Sequence, residues 1–261
     1  MVWVNEMCTF AHQIQQSVGE MKFAIIAAGE GRRMTEGGVS TSKPMMLLRG
    51  EPLIGRLLRI FSECHPTEVV VVCRECHYDV IAYLEAIQQE GLAGTRIPLR
   101  VVTATTPSSM HSLEVISPYL SSEPFLLTTV DTIFRECEFS VFVSSLEKTL
   151  EDYDGCFVVT DFVDDETPLY VRVNALREIT GFYDQQDANT PFVSGGIYAM
   201  RPTCLEVLHQ CVKQGEQRLR NFQRALLRNG QRIKAWPFRK IIDVDHPSDL
   251  QAAIVFLEEE Q

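Results

Sequence analysis

Short unbroken apolar blocks alternate along the chain with stretches whose apolar positions recur at helical spacing, and this predicts strands and helices in turn. "KFAIIAA" (22–28) is an apolar run that stops at glycine and predicts a buried strand. Residues 52–62 place Ile54, Leu57, Leu58 and Phe61 on one helical stripe opened by Pro52. "EVVVVC" (68–73) predicts a second strand, and residues 78–90 a helix with Val80, Ile81, Leu84 and Ile87 inward. "LRVVT" (99–103) predicts a third strand, 109–117 a further helix, and "PFLLTTVD" (124–131) a fourth strand ending on an acid. Strands and helices in strict turn imply parallel strands covered by helices on both faces.

The second half has a different rhythm. "GCFVVT" (155–160), "LYVRVN" (169–174) and "LREITGFYD" (176–184) follow one another without a helical stretch between them. They predict antiparallel additions to the sheet. "FVSGGIYAM" (192–200) predicts another strand with paired glycines inside it. Helices are expected over 202–213 and 217–228, extended pieces at "IKAWPF" (233–238) and "KIIDVD" (240–245), and a closing helix in "HPSDLQAAIVFLEEE" with Leu250, Ile254 and Leu257 on one face. The fold class expected is α/β, Rossmann-like, three layers α/β/α around a mixed, mainly parallel central sheet.

Length and composition narrow this little. The chain has 261 residues, 45% of them hydrophobic and 23% charged, enough for one α/β domain with a real core. No run approaches the length of a membrane span. The start, "MVWVNEMCTFAHQIQQSVGE", lacks the basic and apolar segments of a secretory signal. Met21 stands directly before the first strand, so 1–20 reads as an N-terminal extension contributing little to the fold and 21–261 as a single domain. Eight irregularly spaced cysteines with no export signal suggest reduced thiols in the cytoplasm. The "CREC" string around Cys73 and Cys76, with Cys64, His65 and His77 nearby, has no second Cys-x-x-Cys to complete a zinc site, so it reads as structural or incidental thiols. The net charge of −11 argues against a nucleic-acid or membrane-surface partner but leaves room for a small anionic ligand at a local basic cluster.

That cluster follows the first strand, in "IIAAGEGRRM" (25–34). A dinucleotide turn would need a third glycine where Met34 stands, and no P-loop string occurs. What remains is bare backbone at Ala27, Ala28, Gly29 and Gly31, whose N–H groups can approach an anion. Arg32, Arg33 and Lys43 supply positive charge, and "MTEGGVSTS" between them suits a mobile flap. An ordinary turn is the plain alternative.

The segment "AAGEGRRM…SKPMMLLRGEPLIGRLL" resembles the opening signature of the sugar-phosphate nucleotidyltransferase superfamily, whose fold is similar to that of the GT-A glycosyltransferases. The resemblance extends from Met21 over nearly the whole chain. It implies a Mg²⁺-dependent nucleotidyltransferase of EC 2.7.7 type, which moves an NMP group from an NTP to a phosphorylated acceptor with release of pyrophosphate. The acceptor class it implies is a sugar 1-phosphate or a small alcohol phosphate. Ala27, Ala28, Gly29, Glu30, Gly31, Arg32 and Arg33 would bind the nucleotide, Arg33 the departing phosphates, and Lys43 the α-phosphate region.

In-line attack between two anions depends on positioning and charge neutralisation, and Mg²⁺ prefers carboxylate oxygen. The resemblance makes Asp131 and the acid of "VDHPSDL", Asp245 rather than Asp243, the metal ligands. The plain alternative for Asp245 is an N-cap of the last helix. No general base is needed when the acceptor is already an anionic phosphate.

"TPSSMHSLEVI" (106–116) stands where many relatives have a Gly-Thr pair that closes on the base. This chain departs from that pattern, with Ser108 and Ser109 expected to cap the helix and touch the nucleotide, and His111 either at the ligand or on the helix surface. Ser194, Gly195 and Gly196 match the acceptor-pocket strand, with a simple bulge as the alternative. Phe182, Tyr183 and Asp184 are candidates for the opposite wall. Two further functions stay open: a cytidylyl- or guanylyltransferase of the molybdopterin-cofactor type, and a nucleotide-binding regulatory module without turnover. Base and oligomeric state are not legible.

Overall fold

The five apolar residues after Lys22 form β1 (Lys22–Ala27), every one of them buried. The computed structural model describes residues 20–29, 41–92, 96–163 and 167–259. Along β1, alternate side chains point to opposite faces. Phe23, Ile25 and Ala27 enter one core and Ala24, Ile26 and Ala28 the other. β4 (Glu68–Cys73) divides the same way, with Val69, Val71 and Cys73 against Val70 and Val72. Burial on both faces is why these strands read as continuous apolar runs.

Among the described residues the central sheet has nine strands. β5 (Leu99–Thr103), β4, β1 and β6 (Phe125–Thr129) run parallel, with β1 between β4 and β6. The long β11 (Phe192–Met200) pairs antiparallel to β6 on one side and to β8 (Gly155–Thr160) on the other. The edges are completed by β12 (Ile233–Phe238), parallel to β8, and by the hairpin of β9 (Tyr170–Val173) and β10 (Ile179–Tyr183). Two small ladders lie outside the sheet. β2 (Leu47–Leu48) pairs with β3 (Glu51–Pro52), and β7 (Thr132–Ile133) with β13 (Ile242–Asp243).

One face carries α1 (Leu53–Glu63), α2 (Tyr78–Glu90), α4 (Glu136–Asp152) and α7 (Pro247–Glu258), and the other α3 (Ser109–Ile116), α5 (Cys204–Lys213) and α6 (Leu219–Arg228). This is the expected three-layer α/β/α arrangement. The first face is rich in aromatics, with Phe23–Phe61 and Phe134–Phe139 ring centroids both 4.8 Å apart.

α4 is not among the elements the pattern predicts. Its core face, Phe139, Phe142, Val143, Leu146 and Leu150, has helical spacing, but the aromatic and β-branched "FSVFV" hides that period. On α7 the buried face is Ala253, Phe256 and Leu257, while Leu250 and Ile254 are only partly covered. The extended piece at 240–245 shrinks to the two residues of β13. The extension expected at 1–20 lies outside the described residues except for Glu20. Among the described residues no helix is long and apolar enough to cross a membrane.

Candidate active site

Register assembles the rim. Ile26 pairs with Thr129, and Ala27 with Cys73, so β1, β4 and β6 end level with one another. Ala28 and Gly29, Arg74, and Asp131 therefore leave the sheet along one edge, where open α/β sheets take their ligands. They line a cleft of about 840 Å³ together with Lys43, Pro44, Ser108, Ser109, Asp243 and Asp245. Of the residues expected at the nucleotide, Ala27, Ala28, Gly29, Ser108 and Ser109 stand on its wall. A Cβ on Gly29 would meet nothing within 4 Å among the described residues, so none of them imposes glycine there by packing. Glu30, Gly31, Arg32 and Arg33, and most of the expected flap, lie outside the described residues.

Lys43 starts a 3₁₀ turn (Lys43–Met45) whose second residue, Pro44, is buried. Ser42 Oγ donates to Asp79 Oδ1 at 2.7 Å and fixes the entry to that turn. From this anchor the Lys43 Nζ donates to Asp131 Oδ2 at 2.5 Å and to Asp245 Oδ1 at 2.7 Å. The ammonium is 12% exposed and the two carboxylates 22% and 38%. Burial alone would lower the Lys43 pKa, but the charges of Asp131 and Asp245 outweigh it and raise it above the ordinary lysine value. Burial likewise favours a neutral Asp131. Here the Lys43 charge, its hydrogen bond and a further one from Thr129 prevail, and the carboxyl is held below the usual range.

The two acids reach this point by different routes. Asp131 follows β6, and the Thr129 and Thr132 hydroxyls beside it are hydrogen-bonded at 2.8 Å. Asp245 is delivered by the β7–β13 ladder. Asp243 pairs with Thr132, and the Val244 N–H donates to the Asp131 carbonyl at 3.0 Å. Asp245 is not the N-cap of α7. That position belongs to His246, and Asp249 Oδ2 accepts the Asp245 and His246 N–H groups at 2.9 and 2.6 Å. The Asp245 carboxylate is thereby left to face Lys43. Asp131 and Asp245, which both reach Lys43 Nζ, could hold a divalent cation together, with Asp243 on the same cleft. Among the described residues no group of three His, Cys, Asp or Glu completes a metal site from protein alone.

The opposite wall is the start of α3. Ser108 is its N-cap by position, but its hydroxyl makes no capping bond to the helix and lies 2.9 Å from His111 Nδ1 instead. The expectation of side-chain capping is corrected in that respect, and His111 is engaged by its own helix. Arg74, Thr106, Pro107, Ser112 and Thr129 also line the cleft and were not singled out from sequence. Applying the rim argument to every parallel strand points to Arg74, the residue after β4.

Ser194, Gly195 and Gly196 are not among the residues lining the cleft. The β11–β8 register shifts between Ser194 and Tyr198, which is a bulge. A Cβ on Gly195 would collide with Ile241, and one on Gly196, at φ +74°, would lie 2.7 Å from Thr132 Oγ1. Ser194 Oγ is 3.1 Å from the Tyr198 hydroxyl and 3.4 Å from Gln223 Nε2. A positive φ and the contact with Thr132 thus account for Gly196, while at Gly195 the nearest atom is the end of the Ile241 side chain. Phe182 is buried beside Phe157, and Asp184 is paired with Arg220 and Arg224 around a separate hollow, so neither forms a wall of the main cleft. In the "CREC" segment Cys73 is buried at the end of β4 with its thiol pushed up to about 11, while Cys76 is exposed.

A family model described as a MobA-like NTP transferase domain matches residues 23–231. No curated protein matches the chain in sequence. Among solved structures, the inositol-1-phosphate CTP transferase from T. maritima is 18% identical with a TM-score of 0.74, over 92% of this chain and 96% of that one. A putative glucose-1-phosphate thymidylyltransferase from Bacillus anthracis, in complex with a sucrose, is 17% identical with a TM-score of 0.76, over 92% and 96%. A UDP-glucose pyrophosphorylase complexed with UDP-glucose is 17% identical with a TM-score of 0.76, over 93% of this chain and all of that one (100%). At such identities the likeness is one of fold.

Proposed function

We propose, from the premise that this chain belongs to the MobA-like NTP transferase domain family, that it transfers a nucleotidyl group from an NTP to a phosphorylated small molecule and releases pyrophosphate. The observation that carries this reading is the convergence of Gly29, Lys43, Asp131 and Asp245, from four separate segments, on one cleft. The acceptor class we favour is a sugar 1-phosphate or a small alcohol phosphate. The glucose-1-phosphate and inositol-1-phosphate transferases of the same fold support that choice.

In this reading an acceptor phosphate oxygen attacks the α-phosphorus, forming one P–O bond while the bond to pyrophosphate breaks. The nucleophile is anionic already, so no side chain has to take a proton, and the task of the protein is to hold two anions together. The backbone at Ala28 and Gly29 leaves room for phosphate oxygens to approach its N–H groups. Lys43 neutralises charge at the α-phosphate as a compact ammonium on a flexible stem, and Arg33 is assigned to the departing phosphates. The start of α3, at Ser108 and Ser109, meets the nucleoside.

Asp131 and Asp245 offer hard oxygen donors, suited to Mg²⁺ with phosphate oxygens and water filling the other positions. When bound there, the ion supplies Lewis-acid neutralisation of the phosphate charge. The reading is tested by incubating the protein with each NTP, Mg²⁺ and a panel of sugar and polyol phosphates. Pyrophosphate release that depends on NTP, acceptor and metal together is expected. Its absence with every acceptor, despite NTP binding, defeats the proposal.

A further inference from the structure

Lys43 holds an unusual position for a residue assigned to substrate phosphate. Its one ammonium contacts both carboxylates, at 2.5 Å to Asp131 and 2.7 Å to Asp245. Both acids therefore reach the same ammonium, a cation that the chain itself supplies. A divalent ion bridging the same two oxygens needs that space, and two cations do not share it.

The backbone around Lys43 is anchored on both sides, by the Ser42–Asp79 hydrogen bond and by the buried Pro44. The ammonium, on its four-carbon stem, is the part free to move. A triphosphate in the cleft offers it a new anionic partner, since Ala28, Gly29 and Lys43 line the same cavity.

We propose that Lys43 is a built-in stand-in cation, which occupies the space between Asp131 and Asp245 until nucleotide phosphates draw it away, so that a divalent metal binds well only together with nucleotide. This rests on the metal-dependent reading above and adds an order of binding to it. The two carboxylates would repel one another if left alone. The ammonium holds both and offsets one of their two charges, and it also stands where the ion they would bind has to sit. Nucleotide and metal then assist each other, because each takes over one side of the interaction that Lys43 makes with itself in between. A metal bound firmly without nucleotide would instead require the ammonium to leave both carboxylates with no phosphate there to receive it.

The test uses Mn²⁺ as the probe, without nucleotide, on the full chain. Free Mn²⁺ is measured by electron paramagnetic resonance during titration of the wild type, of Lys43→Met and of the double variant Lys43→Met/Asp131→Asn. Lys43→Met is expected to bind Mn²⁺ about tenfold or more tightly than the wild type, equivalent to about 1.4 kcal/mol. The double variant should lose that gain. Mn²⁺ should also raise the melting temperature of Lys43→Met more than that of the wild type. If Lys43→Met does not fold, Lys43→Gln, which also lacks the charge, is read in the same way. Affinity equal to or weaker than wild type overturns the proposal, and so does a gain that survives Asp131→Asn. The outcome is separate from that of the pyrophosphate assay. A protein that releases pyrophosphate while Lys43→Met gains no metal affinity keeps the proposed function and loses this inference.

Discussion

Gly29 and the Gly195–Gly196 pair both stood out in the sequence, and the structure gives them opposite surroundings. A Cβ on Gly29 would point into open space, whereas Cβ atoms on Gly195 and Gly196 would run into Ile241 and Thr132. The first glycine ends a parallel strand on the rim of the cleft, and the pair sits in a bulge of an antiparallel strand. One is bare toward the cleft and the other two are bare toward their own chain. Residue type alone does not separate these cases. The position does, because the end of a buried parallel strand opens on solvent while the interior of a long central strand is enclosed on both faces.

The contrast can be broken most sharply at the acid that shares the rim with Gly29. Asp131→Ala removes the carboxylate that meets Lys43 on the cleft, and under the proposed function pyrophosphate release should fall by about 10²- to 10³-fold. Far-UV circular dichroism should show the fold intact, and a folded variant with normal turnover would mean that Asp131 is misassigned.

Next in size is the bulge. Gly196→Ala forces a side chain into a left-handed backbone and onto Thr132, and should cost roughly 1–3 kcal/mol in urea unfolding. No loss of stability would show that β11 can relax, and would reopen the bulge to a ligand.

The pH dependence of stability probes the rim itself. The folded pKa of Asp131 is depressed, so its contribution is present above the unfolded value of about 3.9 and disappears as pH falls through the folded value. The folded pKa of Lys43 is raised, so its contribution is complete below the unfolded value of about 10.4 and is lost as pH climbs through the folded one. Stability from this pair should therefore form a plateau across neutral pH with losses at both ends. Asp131→Asn should flatten the acid limb, and an unchanged limb would place the sensitivity elsewhere. The smallest effect belongs to Gly29→Ala, which should shift stability by no more than about 0.5 kcal/mol while weakening NTP binding in a thermal-shift titration. A large stability loss would remove Gly29 from the ligand side of the comparison.

Much of this arrangement was legible because it follows from local chemistry. Unbroken apolar runs gave β1, β4 and β6, and the loops after buried parallel strands must emerge on one edge, which placed Gly29 and Asp131 together. Lys43 could be grouped with the Gly29 loop by its charge, but Asp245 could be joined to them only through a family resemblance, since nothing local in "VDHP" declares a partner that far away. Ser194–Gly196 illustrates the limit. Gly196 is required by its left-handed backbone, and the crowding at both glycines by Ile241 and Thr132 is tertiary and leaves no mark on the neighbouring sequence. Helix α4 was lost for a simpler reason, since strand-favouring side chains occupy helical positions whose packing overrides their propensity.

The two-stranded ladder of β7 and β13 has a consequence for how the molecule comes into working order. Lys43 and Asp245 are 202 residues apart in sequence, against 88 for Lys43 and Asp131. While the polypeptide is being made, the earlier pair can meet long before the later acid has emerged. Until β13 docks, the growing protein lacks the second acid beside Lys43.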